Sequence, residues 1–133
     1  MGGFVSWSFR SFVLSGGGSV LQEWYEQQED AVCAEFDTSL EYLRDLPPER
    51  WDWPFVGILR RECLGLIEIR FKASKVQYRP LGCYGPLRYE FTILFFAVEK
   101  GRKLKPPTAC ATALVRKVQV LQNRGSSREF TLR

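Results

Sequence analysis

The chain contains no histidine, one methionine and no run of 18 or more apolar residues. Each absence narrows its chemistry. Without histidine there is no Ser-His-Asp or Cys-His nucleophile system. Acid–base work falls to Lys, Tyr, Asp or Glu, or to Arg-assisted electrostatics. No segment reads as a membrane span. The N-terminus has no charged stretch ahead of an unbroken apolar one, which points away from a secretory signal. Cys33, Cys63, Cys83 and Cys110 lie 30, 20 and 27 residues apart with no CxxC pair. A zinc site would need four scattered thiolates, so no metal or other cofactor is expected. The cysteines read as free buried thiols in a reducing cytoplasm.

What is present is split by charge. Residues 1–50 hold three basic residues (Arg10, Arg44, Arg50) and nine acidic ones, whereas 51–133 hold sixteen basic and six acidic. The first half therefore carries about −6 and the second about +10, on a chain of overall charge +4. A length of 133 residues at 45% hydrophobic fits one domain with one core.

Met1 to Ser6 fits the loose myristoylation pattern. The segment 5–10 alternates apolar and polar residues as a strand does, starting at Val5. Gly16, Gly17 and Gly18 lack the Lys-Ser/Thr ending of a phosphate loop and read as a turn. Ser19 then caps a short helix with Val20, Leu21, Trp24 and Tyr25 on one face. A second helix begins near Glu29, with Val32, Phe36, Leu40 and Leu43 on a common stripe and Pro47-Pro48 as its stop. The two helices are expected to form a hairpin on a sheet. Trp51 and Trp53 lie in a loop that either anchors the chain or meets a partner. Residues 55–64, with the basic pair Arg60-Arg61, are ambiguous.

Three strands follow: 66–72, 76–84 and 89–98, joined by 73–75 and by a Gly85-Pro86 turn. The first puts Ile67, Ile69 and Phe71 opposite Glu68, Arg70 and Lys72; the second puts Gln77, Arg79, Leu81 and Cys83 on one face. The third is apolar on both sides and reads as central. A basic loop is expected at 99–105, then a helix capped by Thr108, then a mobile polar tail over 123–133. The domain is thus set at 1–122.

The basic, aromatic-laced half suits a polyanion. In simple register Arg70, Lys72 and Arg79 converge on one concave face that Lys100 and Arg102 close, with Tyr78, Tyr84 and Tyr89 near for stacking. Arg60, Arg61, Arg88 and Lys103 are further candidates for holding RNA. RNA supplies its own 2′-OH nucleophile, so cleavage needs in-line positioning and positive charge at the developing phosphorane rather than a metal.

Several motifs resemble the RelE/ParE toxin superfamily, most closely its phage-derived HigB-like branch. They are Trp24-Tyr25, Ala34-Glu35-Phe36, Leu40 to Leu43, Glu68 to Lys72, Tyr78 to Gly82, Tyr84-Gly85-Pro86, Glu90 to Leu94, Lys100-Gly101 and Ala113. The resemblance implies an α+β, RelE-like fold: an N-terminal strand and helix hairpin packed on an antiparallel sheet with a three-stranded meander, then a C-terminal helix. It implies a cytoplasmic toxin of a type II toxin–antitoxin module, a metal-independent endoribonuclease that cuts mRNA on the ribosome and is held inactive by an antitoxin, which charge complementarity to a basic site would make locally acidic. Arg70 and Lys72 would contact phosphate, Arg79 would stabilise the transition state, and Lys100 would sit at the rim. Relatives place Tyr or His in or just before the last helix. Pro107 to Cys110 holds neither, which leaves Tyr84 or Lys72 as general base. Alternatives within the same reading are a toxin acting on gyrase and a non-catalytic nucleic-acid or partner-binding module.

Overall fold

Residues 6–131 are described by a computed structural model. The fold is α+β, three helices on an eight-stranded sheet. All of the myristoylation pattern but Ser6, and the Val5 start of the first strand, lie outside the described residues.

Strand β1 (Ser8–Phe12) leads through the glycine turn to helix α1 (Val20–Glu26). Ser19 caps α1 as its residue type favours, its hydroxyl accepting the Gln22 amide at 3.2 Å. Helix α2 (Asp30–Arg44) buries Val32, Phe36, Leu40 and Leu43, the stripe its spacing predicts. This hairpin covers one face of the sheet, where Phe36 and Leu40 meet Ile67, Ile69, Phe71, Phe91 and Ile93. Truncating Phe36 to Ala here would cost about 3–5 kcal/mol.

The ambiguous 55–64 segment holds strand β2 (Val56–Ile58) and a 3-10 turn at Arg61–Cys63. The first meander strand is broken into β3 (Ile67–Ile69) and β4 (Phe71–Ala73), with the Arg70 amide bonding instead to Phe55 O at 2.9 Å. β5 (Val76–Tyr84) and β6 (Glu90–Lys100) form the centre. Strand order is β2-β3-β5-β6-β1 and then β8 (Ser127–Phe130). β1 runs parallel to β6, so the sheet is mixed, where wholly antiparallel pairing was expected. Short βα and hairpin signals say nothing of this pairing, because its partners are far apart in sequence.

Residues 99–105 are not a loop. β6 runs on to Lys100, Gly101 and Arg102 turn with φ of 56° and 65°, and β7 (Lys103–Lys105) returns against β6. The turn needs left-handed backbone at both positions, which Gly101 supplies without strain. Helix α3 (Ala109–Gln122) follows and packs Ala109, Ala113 and Val120 against Leu81, Cys83, Leu94 and Ala97 on the second sheet face. Thr108 makes no side-chain cap bond there.

The polar tail is not a loose end: a 3-10 turn at Arg124–Ser126 leads into β8, Ser127–Phe130. β8 pairs antiparallel with β1, and Arg124 binds both oxygens of Glu90 at 3.0 and 2.8 Å. The cysteines also depart from expectation. Cys63 and Cys110 form a disulfide, while Cys33 and Cys83 are free. The chain reversal that lays α3 beside the 61–63 turn brings together two cysteines whose spacing gives no sign of it.

Candidate functional site

The site is built by a β-bulge. Gly82 pairs with Ile93, but Leu81 pairs with Phe95, so Leu94 is an extra residue in β6. Ile93 belongs to the cluster under the helix hairpin, whereas Leu94 and Phe95 both join the α3 cluster. Gly82 permits the close approach: a Cβ there would lie 2.4 Å from Thr92 O. Beyond the bulge the alternation is inverted. Ala97 and Glu99 face the α3 side, together with Gln77 and Arg79 of β5. α3 packs its small residues against the Leu81, Cys83 and Ala97 part of this face.

On the rest of that face four charged side chains gather. Arg70 Nη1 donates to Glu68 Oε2, and the Arg70 guanidinium lies 4.4 Å from the ring centroid of Trp53. Arg79 Nη1 donates to Tyr78 O at 2.8 Å and Nη2 to Gln77 Oε1 at 3.3 Å, while Nε stands 3.4 Å from Glu99 Oε1. The Arg79 side chain is 4% exposed and that of Glu68 6%, against 29% for Glu99. Burial weakens the hold of Arg79 on its proton, and Arg70 adds to this; Glu99 and Glu68 oppose it. Burial pushes the Glu68 carboxyl up against the pull of Arg70 and Arg79, and Glu99 adds to the upward push. Each arginine is thus paired with one carboxylate, Arg70 with Glu68 and Arg79 with Glu99.

Lys72 lies in the same cross-strand row, Lys72–Gln77–Glu99–Leu104, and is exposed. The β4–β5 and β6–β7 turns lie at one end of the sheet, because β5 and β6 are antiparallel with Gln77 opposite Glu99. That end carries Lys75, Lys100, Arg102, Lys103 and Lys105, all exposed. Among the described residues none of these five forms an ion pair. A groove of about 620 Å³ adjoins the rim and brings Arg61 to Arg102, Lys103 and Lys105, with Glu62 the one acidic residue and Cys63 and Cys110 in its wall.

The structure therefore brings together Arg70 and Arg79, sets Lys72 beside them, and gathers Arg61, Lys100, Arg102 and Lys103 at the rim. Arg60 is exposed next to Arg61. It does not bring in three others. Tyr78 points into the hairpin core, its ring stacked 5.0 Å from Phe71, and burial raises its hydroxyl pKa. Tyr84 sits five residues along β5 from Arg79, about 17 Å away at strand rise. Its ring packs 5.4 Å from Trp7, and burial raises its pKa, the wrong direction for a general base. Arg88 stacks on Tyr89 at that same far end, 4.8 Å from the ring centroid. Neither carries into the site, because β5 runs its full length between them and the rim.

Sequence reasoning missed Glu68 and Glu99 as partners and left Trp53 open between anchoring the chain and meeting a partner. The Glu68-Ile69-Arg70 spacing places two side chains on one strand face and could have found the first pair. Trp51 took the anchoring role: it is buried, packs at a tilt with its ring centroid 4.4 Å from that of Trp7, and donates its ring N–H to Leu43 O at 3.0 Å. Trp53 is 70% exposed. No helix is long and apolar enough to cross a membrane, and no metal-binding group of His, Cys, Asp or Glu occurs, both among the described residues. No family model matches the chain, and no curated protein or solved structure matches it either.

Proposed function

We propose that this face is an RNA site and that the protein is a toxin of the RelE/ParE kind, a metal-independent endoribonuclease acting on mRNA at the ribosome and restrained by an antitoxin. The observation that carries the reading is the convergence of Arg70 and Arg79 on one sheet face beside an unpaired cationic rim. The rim of Lys75, Lys100, Arg102, Lys103 and Lys105 attracts the RNA backbone in a salt-dependent way. Lys72 and Arg70 hold the phosphate at the scissile position, and Arg79 opposes the charge that develops on it. Trp53, exposed beside Arg70, offers the stacking surface in place of Tyr78 and Tyr84. The nucleophile is the RNA's own 2′-OH. Lys72 is the remaining candidate for moving its proton, since Tyr84 lies too far. An antitoxin suited to this face is locally acidic.

Action on ribosomes places the protein in the cytoplasm, where reducing conditions open disulfides. The site then works with Cys63 and Cys110 reduced, and the bond adds stability only where conditions oxidise it. The test is induced expression of wild type, Arg70→Ala and Arg79→Ala in bacteria, with mapping of mRNA 5′ ends after a short pulse. New in-frame ends with wild type, lost in folded variants, support the reading. Growth arrest with no new ends, or identical ends from the variants, refutes it.

A further inference from the structure

Arg79 is satisfied at two of its three nitrogens. Its Nε is the one buried side-chain polar atom among the described residues that lacks a hydrogen-bond partner. Glu99 Oε1 is 3.4 Å away, an ion pair too long for a good hydrogen bond. A buried N–H whose acceptor is this loosely placed leaves much of a hydrogen bond unmade, and a better-placed acceptor would recover it. The two carboxylates of the cluster differ in this respect. Glu68 is buried, bonded to Arg70 and fixed between β2 and β5, so it is a positioning residue for that arginine. Glu99 is partly exposed near the end of β6, one residue before the β6–β7 turn, and its side chain has solvent to rotate into. Arg79, held at both Nη atoms, has not.

We infer that Glu99 is a built-in stand-in for a phosphate: an incoming phosphate oxygen accepts the Arg79 Nε–H, and Glu99 turns out to solvent to let it in. The inference deepens the RNA reading and rests on it. It makes Glu99 a specificity residue. Weak acceptors do not displace it, and a phosphate diester seated between Arg70 and Arg79 does. Apparent affinity is then lowered by the fraction of molecules in which Glu99 occupies the arginine.

The test is NMR of the Arg79 Nε–H signal in the whole protein, titrated separately with inorganic phosphate and with a 2′-O-methyl oligonucleotide that cannot be cleaved. The expected result is that phosphate shifts this signal in wild type, that the Glu99 carboxyl carbon moves with it, and that Glu99→Gln reaches the same shift at a concentration at least about threefold lower. An Arg79 signal that ignores phosphate, or a Glu99→Gln variant with unchanged or weaker response, overturns the inference. The wild-type carboxyl signal keeps the test decisive if the variant fails to fold. The oligonucleotide separates the two claims. If it binds tightly and leaves the Arg79 Nε–H unmoved, the RNA reading stands and the stand-in role of Glu99 falls. If phosphate gives the expected pattern and the oligonucleotide does not bind, the RNA reading falls and the anion site remains.

Discussion

Arg116 of α3 donates its Nη1 to the carbonyl of Leu94 at 2.9 Å, the bulged residue of β6, with its guanidinium 5.0 Å from the Phe12 ring centroid. A bulge interrupts a strand's ladder. Arg116 bonds this carbonyl from the neighbouring layer, and so helps fix the inversion that puts Glu99 beside Arg79. Arg116→Ala removes a charged donor to a buried carbonyl and should destabilise the fold by about 1.5–3 kcal/mol. Arg116→Met, which keeps an apolar side chain next to the Phe12 and Phe95 rings that the guanidinium covers, should recover part of that loss. Chemical unfolding of both variants checks it. Equal loss in the two would mean that the charge, and not the stem, carries the whole effect; no loss in either would show that the bulge does not need Arg116.

Glu90 ties β8 to the core and sets a pH dependence. The hydrogen bonds from Arg124 hold its carboxyl below the ordinary carboxylate value despite burial, with the Leu87 amide and Arg10 assisting. A carboxyl whose folded pKa is depressed adds stability that is present above its unfolded value of about 4.3 and is lost as pH falls through the folded one. Glu90→Gln should therefore lower stability at neutral pH by roughly 1–3 kcal/mol. The gap from wild type should close as the solution is acidified below about pH 4. Melting curves across pH 3 to 8 measure it, and a gap that widens towards low pH would contradict the assignment.

The disulfide joins residues 47 apart in sequence. Closing a loop of that length is worth about 2–4 kcal/mol. The double variant Cys63→Ser with Cys110→Ser should lose that much and remain folded, since both core clusters keep their other members. Thiol labelling of the native oxidised protein should modify Cys33 slowly and leave Cys83 untouched, because burial pushes the Cys83 thiol up to about 11. Mass spectrometry after alkylation, with and without reductant, reads the pairing. Four labelled cysteines in the unreduced, unfolded protein would show that the bond is not formed.

Trp53 is exposed and stacks on Arg70, so its removal should separate binding from folding. Trp53→Ala is expected to change stability by no more than about 0.5 kcal/mol. It should weaken single-stranded RNA by about 1–3 kcal/mol. Fluorescence anisotropy and a melting curve on the same sample decide this. Unchanged affinity would move the stacking surface elsewhere.

Much of the scaffold was legible because it is local. The Val32–Leu43 stripe fixes α2 at helical spacing, Ser19 caps α1, and the turn residues around β5 bound it at 76 and 84. The site was half legible. Arg70 and Arg79 could be placed on one face of the meander from alternation, although Arg70 falls in the break between β3 and β4. Glu99 could not, because Leu94, Phe95 and Phe96 are all apolar and hide which residue is doubled at the bulge. β8 was missed because Ser127 to Phe130 carries one apolar side chain, too few for a period. Its pairing with β1, like the Cys63–Cys110 bond, depends on contacts between distant parts of the chain.

The most direct measurement is cleavage of one defined, end-labelled mRNA by the purified protein in a reconstituted translation reaction, with and without ribosomes. The account predicts cuts within translated codons that require ribosomes, survive chelators and reductant, and vanish with Arg79→Ala while the variant's melting curve shows it folded. An intact message under all conditions, from protein shown to be folded, would contradict it.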